Sequence, residues 1–121
     1  MVAGDSPDDG AYDFAAMGER VPFTRSMRPP IDAEVRRHIT DNHRFGAGIV
    51  GKSEFPQSWD DNRIIAAVDE VMRSPKGIIR FGDKFVFRKR IDGIEVKVNV
   101  RVDLNPPQIW TAYPDYRTGV R

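Results

Sequence analysis

The stretch KFVFRKRIDGIEVKVNVRV, residues 84–102, constrains this chain more than any other segment. Two runs of alternating apolar and polar residues flank Asp92-Gly93. That dipeptide suits the two positive-φ positions of a two-residue turn, so the runs pair antiparallel with Ile91 opposite Ile94. Side chains alternate across a strand. Phe85, Phe87 and Ile91 therefore share a face with Ile94, Val96, Val98 and Val100. The opposite face carries Arg88, Arg90, Glu95, Lys97, Asn99 and Arg101, which reads as a solvated surface able to track phosphates.

The neighbouring segments extend this sheet. GIIRF precedes the hairpin and turns at Gly82-Asp83. Asn105-Pro106-Pro107 makes a further turn, and QIWTAY forms a last strand. Strict alternation there places Ile109, Thr111 and Tyr113 on one face, with Trp110 and Ala112 on the other. The tail DYRTGVR reads as frayed.

Two helices come before the sheet. In PPIDAEVRRHI, Pro30 suits the first turn, and Asp32 and Glu34 sit where the helix dipole favours acids. Ile31, Val35, His38 and Ile39 make its inward stripe, and TDN ends it. HRFGAGIVGKSEFPQ follows as a glycine-rich loop. Ser58 with Asp61 resembles a capping box, opening a helix over about 59–73. Ile64, Ile65, Val68, Val71 and Met72 form its buried stripe, and Pro75 and Gly77 stop it. Helices followed by strands predict an α+β fold, N-terminal helices packed on a C-terminal antiparallel sheet. Residues 30–121 form one domain on this reading, and residues 1–29 a flexible N-terminal arm or linker with a short helix near Tyr12–Met17.

Several function classes are excluded. The chain has no cysteine, so thiol chemistry, disulfides and cysteine-bound zinc are ruled out. No apolar run reaches the length of a membrane span, so no membrane partner is expected. The opening MVAGDSPDDG has neither part of a signal peptide, which places any export information elsewhere, as in a longer parent chain. The loop glycines lack Walker spacing and follow no strand. Net charge is only +1, so global electrostatics do not announce a nucleic-acid binder.

Both histidines lie in RRHITDNHRFG. Two arbitrary histidines more often pack in a core or cap a helix than catalyse. A metal site is disfavoured, because zinc needs three or four ligands and His38 and His43 lack the zincin spacing. Acid–base chemistry fits imidazole well. RNA cleavage through the 2′-OH requires one group to take its proton and another to protonate the departing 5′-oxygen. A third element must hold the charged phosphorane; Arg44, Lys52 or glycine-loop N–H groups could do so. Thr111 and Tyr113 put a hydroxyl and an aromatic ring side by side, where they could read and stack on a pyrimidine; both are also simply good strand formers.

The ordered series RHI, HRFGAG, GKSEFPQSW, DDNRIIAAVDEV, SP, GIEVKVNV and IWTAYP, from about Arg37 to Pro114, resembles the bacterial EndoU endoribonuclease domain. GKSEFPQSW before an amphipathic helix, with the terminal TAYP, is its most specific part. The resemblance implies the EndoU/barnase-like α+β toxin nuclease fold and RNA cleavage, often beside uridine, leaving a 2′,3′-cyclic phosphate. It implies no metal requirement and no cofactor. It also implies a toxin module of a larger secreted or contact-delivered protein, acting on RNA such as tRNA in a target-cell cytoplasm and neutralised by a cognate immunity protein. By the same resemblance His38 is the general acid, His43 the general base, and Thr111 and Tyr113 the contacts to base and sugar; Lys52 lies in the motif that matches a catalytic lysine. Many relatives carry a longer glycine-rich stretch between their histidines, where this chain has only ITDN. A non-catalytic RNA-binding or protein-interaction domain on the same fold is the alternative.

Overall fold

The structure, a computed structural model, describes residues 28–104 and 106–117, together with the backbone of Glu19–Arg20. Its elements are β1 (Glu19–Arg20), α1 (Ala33–His43), α2 (Asp61–Arg73), β2 (Gly77–Phe81), β3 (Lys84–Ile91), β4 (Ile94–Arg101) and β5 (Gln108–Pro114). The strands form one antiparallel sheet in chain order, with β5 at one edge. This is the α+β arrangement expected, helices before sheet. The anticipated helix near Tyr12–Met17 lies outside the described residues, as does the proposed arm apart from β1, Arg28 and Pro29.

The central hairpin forms as its sequence dictates. Asp92 and Gly93 both take positive φ, at 50° and 80°, and Ile91 faces Ile94. Phe87, Val96, Val98 and Val100 are fully buried on one face. α2 packs against that face of β3 and β4 through Ile64, Ala67, Val68, Val71 and Met72. Each of the larger of these side chains withdrawn from water, Ala67 aside, contributes roughly 1.5–3 kcal/mol. α1 lies instead against the edge strand β5.

The opposite sheet face departs from expectation. Arg88, Glu95 and Lys97 are only 4 %, 2 % and 4 % exposed, so this is no solvated surface. Burial of charge is tolerable here because the charges are paired. Arg88 bonds Glu95 at 3.2 Å, and Lys97 bonds Asp115 at 2.6 Å. The latter pair also pins the start of the supposedly frayed tail, where the Asp115 N–H donates to the Glu95 carbonyl.

Three boundaries also move. Asp32, not Pro30, opens α1, accepting from the Val35 N–H at 2.9 Å. Asp60 caps α2 in the same way, in place of the Ser58–Asp61 box. The helix α1 continues through TDN to His43. Thr40 and Asn42 do not break it, because each side chain bonds the carbonyl four residues back, Arg36 at 3.0 Å and His38 at 2.7 Å. Finally, β5 does not alternate strictly. Val100 faces Ile109 while Asn99 faces Thr111, so Trp110 is an extra, bulged residue. Ile109 thus joins Ala112 in the core, and Thr111 and Tyr113 remain together on the other side.

If the hairpin face is the anchor of the fold, Phe87→Ala should lose about 3–5 kcal/mol of stability, read from urea unfolding. A loss under about 1 kcal/mol would place the anchor elsewhere.

Candidate active site

The extension of α1 decides where the histidines go. Val35, Ile39 and His43 occupy positions i, i+4 and i+8, so His43 continues the inward row. It is 4 % exposed, whereas His38, expected on the inward stripe, is exposed. Five residues on a helix separate the two by about 7.5 Å along the axis and about 140° around it. The structure does not bring the two rings into one cleft.

His43 lines a cleft of about 520 Å³ with Lys52, Ser53, Thr111, Tyr113, Asp115 and Arg117. Its Nδ1 lies 2.8 Å from the Ser53 carbonyl oxygen. A carbonyl can only accept, so Nδ1 carries the proton and Nε2 is the basic nitrogen of the neutral ring. Nε2 sits 3.4 Å from the Thr111 hydroxyl. The Tyr113 ring lies 6.0 Å from the imidazole, tilted by 32°. Burial pushes the His43 pKa below its ordinary value, and the positive charges of Lys52 and His38 push it the same way; the Ser53 carbonyl opposes them.

The loop after α1 is folded back to present Ser53. The Phe55 N–H donates to the His43 carbonyl at 2.8 Å, and the Ser53 hydroxyl donates to the Pro114 carbonyl at 2.6 Å. Tyr116 donates its hydroxyl to the Glu54 carbonyl at 2.7 Å. The Glu54 carboxylate clasps the glycines, accepting from the Gly46 N–H at 3.0 Å and the Gly48 N–H at 2.8 Å. Those two bonds hold its pKa below the usual carboxylate range. They also occupy the donors that looked available to a phosphate in the sequence.

Arg44 goes elsewhere too. Its guanidinium bonds both oxygens of Asp61, at 3.1 and 2.5 Å, joining the end of α1 to the start of α2. It lines a separate depression with Arg36, Phe45 and Trp59, so it is not positioned as a substrate contact in the cleft. Lys52, Thr111 and Tyr113 do reach the cleft. Ser53, Glu54, Asp115 and Arg117 were not singled out in the sequence, although SEF stands inside GKSEFPQSW and Asp115 directly follows TAYP.

Asp115 is buried yet ionised. Burial raises its pKa, but bonds from Arg117 and Lys97 outweigh that and hold it at about 2. It fixes Arg117 at the cleft wall through both the side chain and the backbone N–H. Tyr113 is pushed the other way, its phenol pKa raised by burial and by the Asp115 charge, so it stays a neutral hydroxyl at neutral pH. The cleft therefore offers one base with a defined lone pair, a lysine, an arginine, the Thr111 and Tyr113 hydroxyls and an aromatic ring. Among the described residues, no group of three His, Asp or Glu side chains could hold a metal ion. No helix among them is long and apolar enough to cross a membrane.

A family model described as bacterial EndoU nuclease matches residues 24–116. That span takes in every element from α1 to β5, both histidines and all the cleft residues named above except Arg117. No curated protein and no solved structure matches the chain.

The His43 imidazole should titrate by NMR with a midpoint below 6.5. Lys52→Ala should move that midpoint upward, because one charge opposing protonation is gone. An unchanged midpoint would separate Lys52 from the ring.

Proposed function

This chain belongs to the bacterial EndoU nuclease family, an RNA-cleaving class, and on that premise we propose a metal-independent toxin endoribonuclease with His43 as its general base. The observation that carries this is the oriented imidazole: Nδ1–H held by Ser53, with Nε2 beside Thr111 in a cleft shared with Lys52 and Tyr113.

In the proposed reaction Nε2 takes the proton of a ribose 2′-OH. The freed oxygen attacks the adjacent phosphorus, and the bond from phosphorus to the 5′-oxygen breaks. The products are a 2′,3′-cyclic phosphate and a 5′-hydroxyl. A base must be neutral to act, and burial favours that form, so the site works below the pH at which ordinary imidazole is half protonated. Lys52 stabilises the charge that develops on the phosphorane oxygens. Thr111 reads the edge of uracil and Tyr113 packs on ring or sugar. The departing 5′-oxygen is bonded to the same phosphorus, so its acid must reach the His43 cleft; the motif resemblance supports His38 in that role, while Lys52 and Tyr113 line the cleft itself and His38 lines a separate depression.

The motif resemblance supports the wider setting: delivery as part of a larger secreted toxin, action in a target-cell cytoplasm, tRNA among the candidate substrates, and a cognate immunity protein as partner.

His43→Ala should lower cleavage of uridine-containing RNA by at least ~10²-fold, with cyclic phosphate ends from the wild type in the presence of EDTA. RNA binding without new ends in the wild type would instead favour a non-catalytic domain, and loss of cleavage on chelation would overturn metal independence. Thr111→Ala should relax the preference for uridine, read by mapping cleavage sites on total RNA; an unchanged pattern would remove Thr111 from base reading.

A further inference from the structure

The far wall of the cleft is built from three charges. Asp115, just past the end of β5, is buried, yet its carboxylate sits ionised between two cations. Lys97 meets it at 2.6 Å and is itself buried. Arg117 bonds both carboxylate oxygens, Nε to Oδ1 and Nη2 to Oδ2, each at 3.1 Å. The Arg117 backbone N–H adds a bond to Oδ1 at 3.0 Å. Lys97 already balances the carboxylate, so the trio carries one net positive charge. Its exposed member is the guanidinium, which is 84 % exposed and lines the cleft with His43. A long surface side chain loses rotamer freedom when it grips a ligand. Here Asp115 has fixed the fork beforehand. Arg117 stands one residue beyond the span matched by the family model, so the shared motifs do not account for it.

We propose that Arg117 binds the phosphodiester on the 5′ side of the uridine, one nucleotide upstream of the bond that is cut. This rests on the assignment of the His43 cleft to RNA cleavage. Thr111 marks the reacting end, its hydroxyl 3.4 Å from His43 Nε2. Alternate residues of a strand share a face, so Asp115 lies past Tyr113, about 13 Å along the backbone from Thr111. Arg117 is tied to Asp115, which places the guanidinium beyond Tyr113 rather than at the phosphorus under attack. A ribose carries a phosphate at each end. With its 3′ phosphate at His43 and its ring on Tyr113, the uridine directs its 5′ phosphate out past Tyr113, where Arg117 stands.

The chemistry of this wall suits a phosphodiester. A guanidinium carries five donors in a planar fork, so it can grip a phosphate while Asp115 keeps hold of it. Asp115 does not repel the anion, because its own charge is compensated by Lys97 and Arg117. A contact to a backbone phosphate fixes register without reading sequence. Arg117 therefore adds affinity and leaves base choice to Thr111. The consequence is positional: a uridine inside a strand is a better substrate than a uridine at a 5′ end.

Steady-state kinetics on three small substrates test this: UpA, dTpUpA, and dTpUpA with an uncharged methylphosphonate as its dT–U linkage. The dT has no 2′-OH, so each substrate is cut only after the uridine. The wild type should favour the diester over the methylphosphonate by ~5- to 10-fold in kcat/KM, a gain between that of an exposed ion pair and that of a shielded charged hydrogen bond. The gain should lie in KM and shrink as salt rises. UpA should rank with the methylphosphonate. Arg117→Gln should bring diester and methylphosphonate within twofold of each other. Arg117→Lys keeps the charge, loses the fork and should retain part of the gain. If the wild type shows no gain, or Arg117→Gln keeps all of it, the phosphate subsite is overturned and the nuclease assignment stands. An equal loss on all three substrates in Arg117→Gln would also overturn it, by showing a general disturbance of the cleft. A wild type that cuts none of the three would overturn both.

Discussion

The contact between the apolar face of β3–β4 and α2 is the constraint on which the other contacts depend. Phe87, Val96, Val98 and Val100 are withdrawn from water on one side of it, and Ile64, Val68 and Val71 on the other. Once that layer is packed, β5 pairs with the edge of β4 that β3 leaves open. α1 then has an edge strand to lie against, and its inward row, Val35, Ile39 and His43, faces β5. The cleft is a consequence. It sits where a helix that is not part of the main layer meets the outer side of an edge strand.

His43 ties stability and chemistry together at that meeting point. Burying an imidazole costs free energy unless its N–H finds a partner. The Ser53 carbonyl supplies one, and in doing so selects the tautomer that leaves Nε2 basic. Ser53 is in turn held to β5 through the Pro114 carbonyl, and Glu54 clasps the glycines that let the loop turn. The carboxylate thus uses the loop N–H groups for architecture, and positive charge in the cleft falls to Lys52 and Arg117. Asp115 organises the far wall in the same way, its negative charge balanced by Lys97 beneath and Arg117 beside it.

Much of this was legible where local chemistry decides the outcome. Asp92-Gly93 announces its turn because both positions need positive φ, and the register Ile91–Ile94 follows from turn length alone. The stripe of α2 follows from helical periodicity. Lys52, Thr111 and Tyr113 were found through motifs and do share a cleft with His43. What stayed illegible depends on partners distant in sequence. TDN has the composition of a helix breaker, yet Thr40 and Asn42 bond back to the helix once Ile39 and His43 have somewhere to pack. Arg88 and Lys97 look solvated until Glu95 and Asp115 are placed against them. Arg44 looks free until α2 brings Asp61 beside it.

The sequence by itself determined the hairpin, the α+β order, the second helix and the family-bearing motifs, because turn conformation and side-chain periodicity are properties of adjacent residues. Only the tertiary structure decided which histidine is buried and oriented, which arginines are neutralised, and that Trp110 is bulged out beside Thr111. Those outcomes depend on which charged and polar groups meet across the fold. A single bulge or one extra helical turn reverses the side to which a residue points, and nothing in the local sequence of α1 or β5 specifies either one.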